Sequence, residues 1–160
     1  MFFYSKILNI KINLLLFFVL LNSFELWANK DLKKAFPNPN LKPNEIVNIQ
    51  LSAMKENDQT NLGIEITFRF ASPKNKIQTG PIGRFILLVK NPTYRHLLNH
   101  LSANFLDLKV EGDRAIQEVI IETAEGTLKG FRFLLSLQKE DEFKNCWMTD
   151  AVIPFDILDA

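Results

Sequence analysis

Residues 62–73 read LGIEITFRFASP, and the reading of this stretch decides the fold. Ile64, Ile66, Phe68 and Phe70 alternate with Glu65, Thr67 and Arg69, the period of a half-buried strand. A helix instead stacks Leu62, Ile66 and Phe70 on one face and sets Glu65 four residues before Arg69, the favourable order for an ion pair. Ser72-Pro73 stops the element either way. Taken by itself, the stretch leaves both open.

On its N-terminal side the pattern is plainer. Pro43-Asn44-Glu45 reads as a helix start, with Asn44 as cap and Glu45 in the first turn. Val47, Leu51 and Met54 recur at spacings of four and three, and Ile46, Ile49 and Ala53 widen the stripe until Asn57-Asp58. On the C-terminal side, residues 74–83 are a loop by composition, rich in Lys, Asn, Gln and Gly, with Pro81 suited to a following first helical turn. Phe85, Ile86, Leu88 and Val89 form a short helix that halts before Pro92. Thr93 caps a second, Tyr94 to Leu101, with Leu97, Leu98 and Leu101 inward.

Beyond Asn104 the pattern turns to strands: Phe105 to Glu111, Ala115 to Thr123, a third carrying Phe131, Phe133, Leu135 and Leu137, and Asn145 to Ile153. Gly112-Asp113 and Glu125-Gly126 supply turns, and Lys139 to Glu142 a third connection. Short connections imply antiparallel neighbours. Helices first and a meander second is an α+β layout, with N-terminal helices packed on one face of a curved four-stranded antiparallel sheet. If that sheet curves, its concave side and the helices enclose a cone-shaped pocket.

The 160 residues suit one domain, and 47% apolar with 23% charged residues is ordinary for a globular chain. Fourteen Phe stand against two Trp and two Tyr, and Phe lacks a polar handle, so most rings are expected in the core. Lys6 and Lys11 precede an apolar run, Ile12–Leu21, of about ten residues, which suits a signal peptide and is short for a span of roughly twenty. Asn22-Ser23 breaks the run and Ala28 supplies a small residue for cleavage, with the larger Leu26 two positions before it. Residues 1–28 are therefore expected to be a signal peptide or, uncleaved, an N-terminal anchor, and the protein to be exported to a periplasm, a lumen or the exterior. Residues 29–43, with Pro37, Pro39 and Pro43, read as an extended linker, and 44–160 as a single domain. The leader holds Lys6, Lys11 and Glu25, so the remainder of 19 basic and 18 acidic residues balances to neutrality, which argues against nucleic acid or an anionic membrane as partner. Cys146 is the sole cysteine, so the fold holds without an intrachain disulfide.

Several stretches in order, QLSAMKEND (50–58), FRFASPKN (68–75), TGPIGRF (79–85), Val89, Tyr94 and Leu97-Leu98 in their spacing, and CWMTDAV (146–152), resemble domain-of-unknown-function family 4864 over roughly residues 44–154. That family is similar to the cone-shaped α+β superfamily of nuclear transport factor two and the ketosteroid isomerases. The resemblance implies a helix over 62–71 and no established activity, because the superfamily holds enzymes, ligand binders and protein-interaction domains.

Ser72, Pro73 and Asn75, with Gly80 and Pro81, are expected to make structural turns, Ser72 and Asn75 bonding their own backbone; the alternative is a cavity mouth. Arg84 follows a Gly-Pro-Ile-Gly loop at a helix start and suits a small anion, or else pairs with an acid such as Asp150. Arg84, Phe85, Tyr94, Trp147 and Phe133 are the ligand-binding candidates. Asp58 as base and Tyr94 as oxyanion donor are the weak catalytic pair, set against ordinary turn chemistry at Asp58. Asp107, between Leu106 and Leu108, points to solvent by alternation. His96 and His100 have the spacing of paired metal ligands but no third ligand, so two surface histidines are expected and no metal. Cys146 reads as a packing residue, with no local base to activate it. No cofactor is expected, and no phosphate loop or dinucleotide glycine pattern occurs.

The expected function is a non-enzymatic module that uses an apolar cavity or sheet face for a small apolar ligand or a protein partner. The alternatives are a cavity enzyme for proton transfer or hydrolysis through Asp58, Tyr94 and Arg84, and a structural subunit tethered to a membrane through residues 12–21. A homodimer through the sheet is a further expectation.

Overall fold

The computed structural model describes residues 32–157, so the expected leader at 1–28 lies outside the described residues. The chain divides into two units, 1–34 and 35–160. Of the first, Leu32 and Lys33 are helical and Lys34 is in a turn.

Residues 35–42 are irregular, as the prolines dictate. They are nonetheless held. Arg69 stands over the Phe36 ring at 4.6 Å, and its guanidinium donates to the Ala35 carbonyl at 3.3 Å. Helix α1, Pro43–Lys55, starts on Pro at its first position, where a missing N–H costs nothing. Its cap is Lys42 and not Asn44: the Lys42 N–H donates to Glu45 Oε2 at 2.7 Å, so Glu45 reaches back over the first turn.

Helix α2, Leu62–Arg69, resolves the stretch that alternation alone could not. Its inward face meets α1 closely enough that a Cβ on Gly63 would stand 2.0 Å from the Ala53 carbonyl oxygen. A strand offers no such groove. Helix α3, Pro73–Thr79, corrects the expectation of loop over 74–83. Ser72 Oγ accepts from the Asn75 N–H at 3.2 Å, Pro73 opens the first turn, and Gly80 ends the helix at φ +82°. The segment carries the caps of a helix without its apolar stripe, which is why periodicity passes it over. Helix α4, Ile82–Val89, falls where expected.

The helix expected over 94–101 shrinks to a 3-10 turn, Arg95–Leu97. Asn91 Oδ1 accepts from the N–H groups of Thr93 and Tyr94, so Asn91 does the capping assigned to Thr93. Asn99 then turns left-handed, φ 54°, and its amide donates to the carbonyls of Lys55 and Asn57 at the end of α1.

The sheet has five strands among the described residues, not four: β1 Ser102–Phe105, β2 Lys109–Glu111, β3 Arg114–Glu122, β4 Leu128–Leu137 and β5 Trp147–Phe155. All pairings are antiparallel, in the order β1-β3-β4-β5, with β2 also on β3. The single strand expected from Phe105 to Glu111 is split. Phe105 pairs with Val119 and Lys109 with Ile116, so three residues oppose two, and the Gln117 amide fills the break by donating to the Leu106 carbonyl at 2.6 Å. Strand β5 begins and ends two residues later than expected, after left-handed Asn145. It accepts Pro154 because it is an edge strand.

The four helices pack on this sheet, α1 against β3 and β5 and α3 against β5. Ile46, Val47, Leu51 and Met54 of α1 bury against Val119, Ile121, Phe131, Phe133, Leu135 and Met148. Among the described residues Phe70, Phe85, Phe131 and Phe133 are buried, whereas Phe68, Phe105, Phe143 and Phe155 are half-buried and Phe36 is exposed, so fewer rings lie in the core than expected.

Candidate functional site

Between the four helices, the 3-10 turn and β5 lies a cavity of about 150 Å³. Met54, Ala71, Phe85, Leu88, Val89 and Leu97 make its apolar wall. Its floor is polar, and the origin of that polarity is legible from α1. Ile46, Gln50 and Met54 follow one another at four-residue spacing, so Gln50 is a polar residue on a buried face.

Gln50 has its hydrogen-bonding needs met on the spot. Its Nε2 donates to the Thr67 carbonyl at 3.1 Å, and its Oε1 accepts from Thr149 Oγ1 at 2.7 Å. Thr67 Oγ1 lies 2.9 Å from the Gly63 carbonyl and 3.2 Å from that of Gln50. The Thr149 carbonyl receives both the Ser72 N–H at 2.9 Å and the Asn75 amide at 3.1 Å. The Thr149 N–H donates to the Phe70 carbonyl, so residues 70–75 dock on β5 as a short parallel bridge through Ala71. Ser72 and Asn75 therefore bond to the backbone, their own and that of β5.

Strand β5 is bulged beside this bridge. Leu134 pairs with Ala151 but Leu135 with Thr149, which leaves Asp150 as the extra residue. The bulge brings Asp150 to the cavity rim, where Arg114 donates to it at 3.2 Å. Tyr94 also lines the cavity, its hydroxyl donating to the Val152 carbonyl at 3.1 Å.

The candidate residues from the sequence are scattered around this centre. Phe85 and Tyr94 line the cavity. Arg84 is exposed on α4, and Asp150, its suggested partner, pairs with Arg114. Phe133 is fully buried in the core and Trp147 half-buried at the start of β5, neither on the cavity. Asp58 lies exposed in the turn after α1, where its carboxylate accepts from the N–H and hydroxyl of Thr60. Of Asp58, Tyr94 and Arg84, only Tyr94 reaches the cavity. Gly80 and Pro81 form the joint between α3 and α4.

The two histidines differ from the expected surface pair. His96 is half-buried with Glu125 3.8 Å away. His100 is 3% exposed, its Nδ1 2.9 Å from the Leu97 carbonyl, and burial pushes its pKa below the ordinary value. Cys146 is buried, and desolvation pushes its thiol up, away from reactivity.

Sequence reasoning missed Gln50, Thr67 and Thr149. A Gln inside the apolar stripe of α1 was the available signal; Thr149 carried none, because its role depends on where residues 70–75 dock. Neither a curated protein nor a solved structure matches the chain. The family model described as domain of unknown function (DUF4864) matches residues 38–156, which takes in the helices, the sheet and every residue of the cavity, and the chain belongs to that family.

Proposed function

We propose that this chain is an exported, non-enzymatic binding module that takes a small apolar ligand in the cavity between the helices and β5. One observation carries the reading. The cavity wall is apolar, while the floor residues Gln50, Thr67, Asn75 and Thr149 already bond to protein partners. A polar substrate would have to break those bonds, each about 1 kcal/mol net and more when a buried group is orphaned. An apolar guest breaks none. Cavities of this order hold a guest of about six to ten heavy atoms, the scale of a benzene-sized ring or a short prenyl unit.

Export rests on Lys6, Lys11 and the apolar run Ile12–Leu21. No helix among the described residues is long and apolar enough to cross a membrane. Helices ahead of a meander, with a bulge at Asp150 to bend it, also favour the cone-like superfamily resemblance. The exposed outer residues Ile116 and Ile153 leave the sheet open to a second copy.

The test is a thermal-shift panel of indole, benzene and short isoprenoid alcohols. A ligand at about a hundred times its Kd stabilises the fold by about 2.7 kcal/mol. Leu88→Trp, at a half-exposed wall position, fills the cavity and should abolish the shift while leaving the unliganded Tm intact. Turnover of an ester or enolisable ketone with no apolar binder would overturn the reading in favour of an enzyme. Cell fractionation with an intact mass tests whether residues 1–28 are removed or tether the chain.

A further inference from the structure

Overall neutrality hides a segregation of charge. No Asp or Glu stands between Glu65 and Asp107, while Lys74, Lys76, Arg84, Lys90 and Arg95 all fall in that interval. This acid-free interval contains α3 and α4, two adjacent helices joined by Gly80-Pro81. Both turn one face to the cavity: Asn75, Gln78 and Thr79 from α3, and Phe85, Leu88 and Val89 from α4. At about 100° per residue, Ile77 and Leu87 fall on the opposite sides of their helices. There they are 83% and 72% exposed, the two most exposed large hydrophobic residues among the described residues.

Cations flank them. Lys74 lies one turn from Ile77, and Arg84 and Lys90 lie one turn either side of Leu87, all three exposed. Among the described residues no ion pair involves Lys74, Arg84 or Lys90. Lys76 does not join them. It is turned back between the Phe68 and Phe143 rings, where Glu142 acts on it. Asp150, the acid at the nearby cavity rim, is occupied by Arg114.

We propose that the outward face of the α3–α4 hairpin is a docking surface for an anionic lipid bilayer. Two exposed apolar side chains, each flanked one helical turn away by unpaired cations, match an interface that is negative outside and apolar beneath. A neutral surface would leave the cations unmatched, and a purely charged partner would leave Ile77 and Leu87 in water. Helices that form the cavity wall would thereby meet the bilayer with their other side. The docking holds whatever fills the cavity, and its test is independent of that ligand.

The experiment uses the full chain with a fluorophore on Ile77→Cys or Leu87→Cys, and on Leu128→Cys as an exposed apolar control outside the hairpin; the native Cys146 is buried. Vesicles are phosphatidylcholine alone, or phosphatidylcholine and phosphatidylglycerol in equal parts, both with brominated acyl chains as quencher. Quenching at positions 77 and 87 and not at 128, on the anionic vesicles only and relieved by salt, is the expected result. Replacing Lys74, Arg84 and Lys90 together by Gln should lower partitioning on the order of 100-fold, about fivefold per charge. Flotation with unquenched labels at 77 and 87 would assign binding to another segment, such as the leader, and overturn the proposal. Equal quenching on neutral vesicles, or no association with any vesicle, would do the same, the latter leaving an acidic protein as the occupant.

Discussion

Replacing Gly63 by Ala sets two effects against each other. In an isolated helix the change is favourable by about 1 kcal/mol. Here the new Cβ would sit 2.0 Å from the Ala53 carbonyl oxygen and 2.9 Å from both the Ala53 carbonyl carbon and Asn57 Cβ. Two of these three neighbours are backbone, so the clash cannot be relieved by a rotamer change. Restoring ordinary contact near 3.4 Å requires α1 and α2 to part by about 1.4 Å. That displacement would carry the Gln50–Thr67 bonds, now 3.1 and 3.2 Å, well past hydrogen-bonding distance. Overpacking costs about 1–3 kcal/mol, and orphaning a buried polar group adds about 1–3 kcal/mol more. After the helix gain is subtracted, a net loss of about 3 kcal/mol is expected, or a fall in Tm on the order of 10 °C. Urea and thermal melts followed by circular dichroism measure both. A Gly63→Ala protein with an unchanged or higher midpoint would refute the close approach of the two helices, and with it the helical reading of residues 62–69.

Gly83 on α4 is the counterpart: a Cβ there meets nothing within 4 Å, so Gly83→Ala should stabilise by about 0.5–1 kcal/mol, read as a rise in Tm. Thr149→Val keeps the shape but leaves Gln50 Oε1 without its donor, which should cost about 1–3 kcal/mol in a urea melt; a neutral result would mean the floor network adds nothing. His100 is held below its ordinary pKa chiefly by desolvation, aided by Lys55 and opposed by its bond to the Leu97 carbonyl. Its neutral form is favoured in the folded state, so its contribution is full above the unfolded value of about 6.5 and is lost as pH falls through that value. Unfolding free energies at about pH 7 and about pH 5 should therefore differ more in the parent than in His100→Gln, and equal differences would exclude His100 as the titrating group.

The class of the fold was legible because it depends on local periodicity. Helix α1, helix α4, the strands around Phe131 and Phe133, and the turns at Gly112 and Gly126 each announce themselves within a dozen residues. The errors lie where local signals compete with contacts distant in the chain. Residues 105–111 look like one strand because both halves pair with the same neighbour, and only Gln117 reaching the Leu106 carbonyl marks the break. Helix α3 lacks an apolar stripe because one of its faces is polar cavity wall. His100 looks like a surface residue until Asn99 ties its loop to the end of α1. Of the ligand-binding candidates, Phe85 and Tyr94 line the cavity, but its polar floor was not read from the sequence.

From the order of the residues alone come the α+β class, the helices-then-meander arrangement, the turns at Gly112 and Gly126, and the acid-free interval from Glu65 to Asp107. All are properties of neighbours along the chain. Tertiary structure decided that residues 62–69 are a helix, that Gln50, Thr67 and Thr149 meet, and that Ile77 and Leu87 are both exposed. Those outcomes depend on which surfaces touch. Gly63 permits a helix to lie against Ala53 where a strand with the same alternation would find no groove, and local propensity is too weak to outweigh that packing.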